Sequence, residues 1–244
     1  MGIRRGEIST PIIADGLVFN MDAANRASYI PYATQSFNTL DLSISGSFIN
    51  DPTYISPTTS SWNFDGVDDR ITISNNSIFN FGSNDWTCSL WGKFNVTKSV
   101  SYYNLLIGQW EGGSNNQSSF AISFRGTDGA LGFSVVYGSA TFNYSSNTSV
   151  YNDNTWHMFT LTRYENIMNL YLDTTSIHTY SVPEGSQTIQ APDLPLEFTG
   201  YHHENGTAAY YTQGNIACIQ IYNNRGLSSS DVLHNYNALK GRFV

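Results

Sequence analysis

A chain of 244 residues with 40% hydrophobic and only 12% charged residues can bury roughly 70–75% of its unfolded surface, and it is too apolar for a disordered acidic chain, a coiled coil or a long-helix bundle. Eleven Lys and Arg against nineteen Asp and Glu give a formal charge of -8, a field that repels phosphate backbones, so nucleic acid is not an expected partner. No apolar run reaches transmembrane length, and the basic start Met1-Gly2-Ile3-Arg4-Arg5-Gly6-Glu7 is followed by no uninterrupted apolar stretch, so neither membrane insertion nor a secretion leader is expected.

In chain order, residues 1–15 come first as an expected arm or attachment segment. Its β-branched Ile8, Thr10, Ile12 and Ile13 suit strand addition to a partner's edge, and a locally packed terminus is the competing reading. From Gly16 to the C-terminus the dominant signal is period-2 alternation, the mark of strands with one buried face. It predicts strands at Gly16–Met21, Ser61–Phe64, Asp69–Ile73, Trp86–Phe94, Asn104–Trp110, Phe120–Arg125, Leu131–Val135, Trp156–Arg163, Ile167–Asp173, Leu196–Gly200 and Gly214–Tyr222. The Gly126-Thr127-Asp128-Gly129 turn makes a hairpin of the Phe120 and Leu131 strands. Tyr137–Asn154 alternates aromatic and polar residues and is a weaker candidate for another strand. Pro183–Pro195 reads as a crossing loop.

One helix is expected near the C-terminus. Ser228 caps it, Asp231 closes an acidic capping box, and Leu227 staples against Val232. Val232, Tyr236 and Leu239 then share one face until Gly241 stops the helix. Cys88 and Cys218 sit in apolar strand stretches; buried free thiols come first, with a disulfide or a metal pair as alternatives. Nothing justifies cutting residues 16–244 into two domains. The expected fold is all-β, two packed antiparallel sheets with one short C-terminal helix.

Five blocks carry a family resemblance: Gly16-Leu17-Val18-Phe19-Asn20-Met21-Asp22-Ala23-Ala24-Asn25, then Trp62-Asn63-Phe64-Asp65-Gly66-Val67-Asp68-Asp69-Arg70-Ile71, then Trp86-Thr87-Cys88-Ser89-Leu90-Trp91-Gly92-Lys93. Trp156-His157-Met158-Phe159 with Leu170-Tyr171-Leu172-Asp173 is the fourth, and Ile216-Ala217-Cys218-Ile219-Gln220-Ile221-Tyr222-Asn223-Asn224-Arg225-Gly226-Leu227-Ser228 the fifth. Together they resemble a laminin-G-like domain of the concanavalin A-like lectin and glucanase superfamily. The resemblance implies a jelly-roll sandwich whose chain ends lie near one another. It also implies carbohydrate-binding or adhesion modules and, for similar stand-alone copies, phage structural proteins.

The turn Asp65-Gly66-Val67-Asp68-Asp69 packs three carboxylates into five positions. Asp65 and Asp68 capping their own turn is one reading. Calcium held by Asp65, Asp68 and Asp69 is the other. No cofactor is otherwise required. Arg225, between the last strand and the helix cap, is expected to clamp Asp22 or Asp68 and so tie the chain ends together.

With sixteen Tyr, fourteen Phe and five Trp, there are more rings than the core strands use. Trp62, Trp86 and Trp156 read as core, whereas Trp91 and Trp110 lie off their strands' apolar rows or at a strand end. Rings among amides suit sugars, which stack on aromatic faces and bond through hydroxyls, and they suit protein interfaces equally. The candidate ligand residues sit in three loops: Trp110, Glu111, Asn115, Asn116 and Gln117 in the first, Tyr144 in the second, and Tyr201, His202 and Asn205 in the third. Adjacent His202 and His203 on a strand would point apart, which disfavours zinc.

No strand carries the paired acids that a retaining glycosidase needs, and no nucleophile elbow, phosphate loop or His-Glu-x-x-His helix occurs. The expectation is therefore a non-enzymatic phage virion surface protein, as capsid decoration, head fibre or tail fibre, assembled in a host cytoplasm. Its expected partners are capsid, portal or tail proteins, its own copies and a host-surface glycan. A secreted or cell-surface carbohydrate-binding or adhesion module and a glycoside hydrolase of the same superfamily are the alternatives.

Overall fold

The computed structural model of the protein describes residues 11–30, 32–55, 59–95, 103–110, 119–126, 128–137, 140–146, 151–183, 188–189, 193–202, 208–209 and 211–244, with 140, 202, 208 and 209 placed by backbone alone. The strands in chain order are β1 Leu17–Asp22, β2 Gln35–Asn38, β3 Asp41–Ile49, β4 Thr53–Ile55, β5 Ser61–Asp65, β6 Arg70–Ile73, β7 Trp86–Phe94, β8 Tyr103–Gln109 and β9 Phe120–Arg125. They continue as β10 Leu131–Tyr137, β11 Ala140–Ser145, β12 Trp156–Tyr164, β13 Ile167–Leu172, β14 Thr175–Ser181, β15 Leu196–Phe198, β16 Tyr201–His202, β17 Ala208–Ala209 and β18 Gln213–Asn223, before helix α1 at Ser229–Leu239.

Sixteen of these strands form two eight-stranded sheets, and β16 and β17 pair separately as a two-stranded one. The first runs β14-β13-β12-β7-β18-β5-β4, with β1 also on β18, and the second runs β11-β10-β9-β8-β15-β6-β3-β2. The long β18 pairs with β7 along one side, and with β5 and then β1 along the other. First and last strands are thus neighbours, which brings the described chain ends together as the resemblance implied.

Alternation closes the two sheets on one core. Phe19, Trp62, Phe64, Trp86, Leu90 and Phe94 face Ile71, Ile107, Phe120, Ile122, Phe124, Phe133 and Val135, all buried. Edge-to-face contacts such as Phe94 with Phe124, at 5.8 Å between ring centres, and Phe124 with Phe159, at 5.9 Å, join the layers. A second apolar layer lies on the other face of the first sheet. There Trp91, Met158, Tyr171, Cys218 and Tyr222 pack under Leu227 and Val232 of the cap and helix. This is why every residue of β7 except Lys93 is buried: both of its faces are covered.

One departure from simple alternation comes from a bulge between Ile216 and Cys218. Without it, Ile216 and Cys218 would share a face. The extra residue turns Cys218 toward the helix and keeps Ile216, Ile219 and Ile221 in the interior. Cys88 and Cys218 therefore occupy opposite faces of one sheet, both as free buried thiols. Burial pushes both thiols up, Cys218 to about 12.

The helix forms with the expected box: the Ser228 side chain accepts from the Asp231 amide and Asp231 accepts from the Ser228 amide. Strands β2, β3, β4 and β14 were not predicted. They are edge or near-edge strands with half-exposed, Ser- and Thr-rich faces, so pairing rather than a buried row defines them. The weak 137–154 candidate contains β11. Residues 1–10 of the expected arm, and 184–187 and 190–192 of the expected crossing loop, lie outside the described residues. Of the arm's remainder, Ile13 donates its N–H to Asn235 Oδ1 at 2.9 Å and its carbonyl accepts from the Tyr222 hydroxyl at 3.0 Å.

Candidate functional site

The outer face of the second sheet carries a groove across β8, β9, β10 and β11. Because Phe120, Ile122, Phe133 and Val135 point into the core, the intervening residues must point out. Antiparallel register then sets Ser134 opposite both Ala121 and Asn143, and Ser123 opposite Leu105. The floor is made of small side chains, and Tyr103, Trp110 and Tyr201 form the walls of a cavity of about 170 Å³. Trp110 packs on Leu105, Ala121 and Tyr201. The Ser134 hydroxyl donates to Asn143 Oδ1, which leaves the Asn143 amide N–H groups without an acceptor among the described residues.

Aromatic walls, a shallow floor and amide and hydroxyl groups can stack on an apolar ring face and bond its hydroxyls. None of the described lining residues is a carboxylate, an imidazole or a thiol. The groove as described has groups for recognition but no acid, base or nucleophile pair for chemistry.

Of the ligand residues expected from sequence, Trp110 and Tyr201 meet here although 91 positions (201 minus 110) separate them in the chain. Tyr144 does not join them. Its place opposite Phe133 turns it inward, where its ring stacks on His178 with centres 3.4 Å apart, and burial lowers the His178 pKa. Its neighbour Asn143 takes the outward position. Glu111, Asn115, Asn116, Gln117 and Asn205 lie outside the described residues, and of His202 only the backbone pairing with Ala208 is described. Sequence reading missed Tyr103, Ser123, Ser134 and Asn143. The alternation of the β9–β10 hairpin contained the signal for Ser123 and Ser134, since an inward row implies an outward one, whereas Tyr103 in β8 and Asn143 in β11 are placed by pairing with that hairpin. Trp91, expected off the apolar row, does face away from the core, but it is fully buried between Tyr236 and Phe243 and offers no binding surface.

The acidic turn is a second feature. Gly66 adopts φ +77°, a conformation that glycine accepts without strain. Asp65 Oδ1 accepts from the Val67 and Asp68 amides at 2.7 and 3.3 Å, and Asp69 Oδ2 accepts from the Asp65 amide at 3.0 Å. Asp65 thus caps the turn, as expected, but its partner in doing so is Asp69 rather than Asp68. One oxygen from each of Asp65, Asp68 and Asp69 lies within 4.8 Å of the others. Burial first, and then the charges of Asp65, Asp68 and Asp51, raise the Asp69 pKa. A hard cation with oxygen ligands suits such a donor set.

Arg225 does not reach Asp22 or Asp68. It bonds Asp231 at 3.1 Å and lies 3.6 Å from Asp15. Asp22 is instead gripped by both arms of Arg242 at 2.9 Å each, so a fork does tie the two ends, with a different arginine. The turn at Gly16 explains where Arg225 lies: φ is +73° there, and a Cβ would sit 2.3 Å from the Arg225 Cβ. The stem of Arg225 fills that space while its charge serves the helix cap.

A family model of the laminin G type, described as the concanavalin A-like lectin/glucanases superfamily, matches residues 65–233. No curated protein matches the chain. Among solved structures, the binding domain of the Paraclostridial mosquitocidal protein 1 superposes with a TM-score of 0.71 at 16% identity, over 92% of this chain and 52% of that one. A structure of botulinum neurotoxin type C, a toxin whose cell entry is described as dependent upon interaction with two ganglioside molecules, gives 0.69 at 15% identity over 92% and 51%. The binding domain of botulinum neurotoxin DC, solved with rat synaptotagmin II, gives 0.67 at 14% identity over 92% and 52%. The chain spans about half the length of these structures, and at such identities the likeness is one of fold.

Proposed function

The chain belongs to the laminin-G-like group of the concanavalin A-like lectin/glucanase superfamily, and from that premise we propose that it is a non-catalytic recognition module that binds glycan in the groove between Trp110, Tyr103 and Tyr201. The observation that carries this reading is the convergence of Trp110, just past β8, and Tyr201, in β16, over a floor of Ala121, Ser123 and Ser134, with Asn143 also lining the groove. Small residues let a sugar ring approach the sheet, and the flanking rings supply stacking faces. The toxin structures that share the fold are binding domains, which is consistent with this use of the sandwich.

A glycan array with purified protein, with and without chelator, tests the proposal, followed by titration of the best ligand. Trp110→Ala should weaken binding about tenfold or more with the fold intact. An array without signal, or a Trp110→Ala variant of unchanged affinity, would overturn it.

We place the module on a phage virion surface, as a decoration, head-fibre or tail-fibre component docked to capsid, portal or tail proteins and to its own copies. Support for this setting is the resemblance of the five sequence blocks to laminin-G-like domains, similar stand-alone copies of which occur in phage structural proteins. Cryo-electron microscopy of purified particles decides it: density for the sandwich on the particle surface sustains the setting, and its absence removes it.

A further inference from the structure

At the opposite edge of the second sheet from the groove lies a larger cavity, of about 660 Å³, between the β1–β2 loop and the β3–β4 turn. Its size falls in the range of small-molecule sites. Tyr29, Tyr32 and Tyr54 supply rings, Arg26 a cation, and Asp51 an acceptor.

The walls are built rather than loose. Asp22 Oδ1 accepts from the Ala24 amide at 2.8 Å, Asn25 Oδ1 accepts from the Ala27 amide at 2.9 Å, and the Asn25 carbonyl accepts from the Ser28 and Tyr29 amides. Tyr29 is buried, with its ring 4.6 Å from that of Tyr54 and edge-on to Trp62, so the floor continues into the core. Asn50 and Asp51 both take left-handed φ, at 59° and 62°.

Two side chains lining this cavity, Arg26 and Tyr32, are exposed to solvent. Tyr32 takes φ +72° in a turn that the Ala33 amide closes on the Ile30 carbonyl at 3.0 Å, and its side chain is left fully exposed beside the cavity. Arg26 makes no ion pair among the described residues, in a chain whose acids outnumber its Lys and Arg nineteen to eleven. An exposed ring and a guanidinium without an ion pair among the described residues, both lining a cavity of ligand size, are available to a ligand.

We propose that this cavity is a second binding site, for an acidic pyranoside such as a uronic acid. The Tyr32 ring stacks on the sugar face, the planar fork of Arg26 takes the carboxylate in bidentate fashion, and Asp51 accepts from ring hydroxyls. A single delocalised negative charge matches one arginine. A phosphate dianion would face Asp51 and the net acidic field with only that one counter-charge.

Methyl glucuronide and methyl glucoside, which differ in the carboxylate alone, separate this site from the Trp110 groove in a backbone-amide NMR titration. Methyl glucuronide should shift the amides of Ala23, Ala24, Arg26, Tyr29, Tyr32, Ala33, Asp51, Thr53 and Tyr54. The glucoside should bind about tenfold more weakly, and Arg26→Ala and Tyr32→Ala should each weaken the glucuronide to a similar degree. Trp110→Ala should leave these shifts unchanged. Equal affinity for the two sugars, indifference to Arg26→Ala, shifts confined to the Trp110 groove, or none at millimolar ligand would each overturn the proposal. Since Trp110→Ala reports on the groove alone, failure of either site is read separately.

Discussion

Arg242 and Arg225 differ in what they hold, and their substitution should differ accordingly. The Arg242 fork reaches Asp22 over two bonds of 2.9 Å between partly buried side chains, so Arg242→Ala should destabilise by about 1.5–3 kcal/mol. Arg225 is more exposed, and its partner Asp231 keeps its cap when the arginine is gone. Arg225→Ala should therefore cost only about 0.2–1 kcal/mol in urea unfolding, and the reverse order would show that the fork is not what closes the chain. His157 is held by Asp173 at 2.9 Å, with Asp153 at 3.4 Å, and the Asp173 bond above all raises its pKa from 6.5. Since the folded state binds that proton more tightly, the contribution is complete below pH 6.5 and fades as pH rises through the folded value. Thermal scans across that window should show a falling Tm that His157→Gln flattens. Asp69 also has a raised pKa, but as an acid it resists ionising in the fold, so its cost appears as pH rises through its own titration. Asp69→Asn keeps an oxygen for the Asp65 amide and should leave Tm equal or higher at neutral pH without calcium. We further propose that calcium binds at this turn; added calcium should then raise the wild-type Tm and not that of the variant.

The C-terminal helix stands or falls with the layer beneath it. Its capping box is fully formed, so Ser228→Ala should cost about 0.5–2 kcal/mol, and no change would mean that Asp231 alone holds the first turn. Trp91 is the larger lever. It is fully buried, and its ring stacks between Tyr236 and Phe243 at 5.3 and 4.4 Å. Trp91→Ala should cost about 3–5 kcal/mol, and the exposed Cys218 face should make the variant prone to association. Both elements were legible in part. The cap spacing and the Val232, Tyr236 and Leu239 stripe predicted the helix with its cap. The strand β7 alternation showed that Trp91 faces away from the core, but alternation does not say whether a helix or water covers the second face.

For the whole molecule, the order of apolar rows was enough to predict two antiparallel sheets, because a row with a bare apolar face is stable only against another. The adjacency of β1 and β18 came from the family blocks at the two ends, not from any local pattern. Edge strands β2, β4 and β14 escaped because their hydrogen bonds, rather than a buried stripe, fix them. What the residues determined by themselves was therefore the architecture, the capped helix and the free thiols, all of which follow from local periodicity and side-chain chemistry. Tertiary structure alone decided which face each ring occupies. The β18 bulge reverses the alternation at Cys218, register turns Asn143 outward and Tyr144 inward, and the fold brings Trp110, just past β8, to Tyr201 in β16, 91 positions on. A binding surface is made of such long-range juxtapositions, and a sequence pattern that extends over a few neighbours carries no term for them.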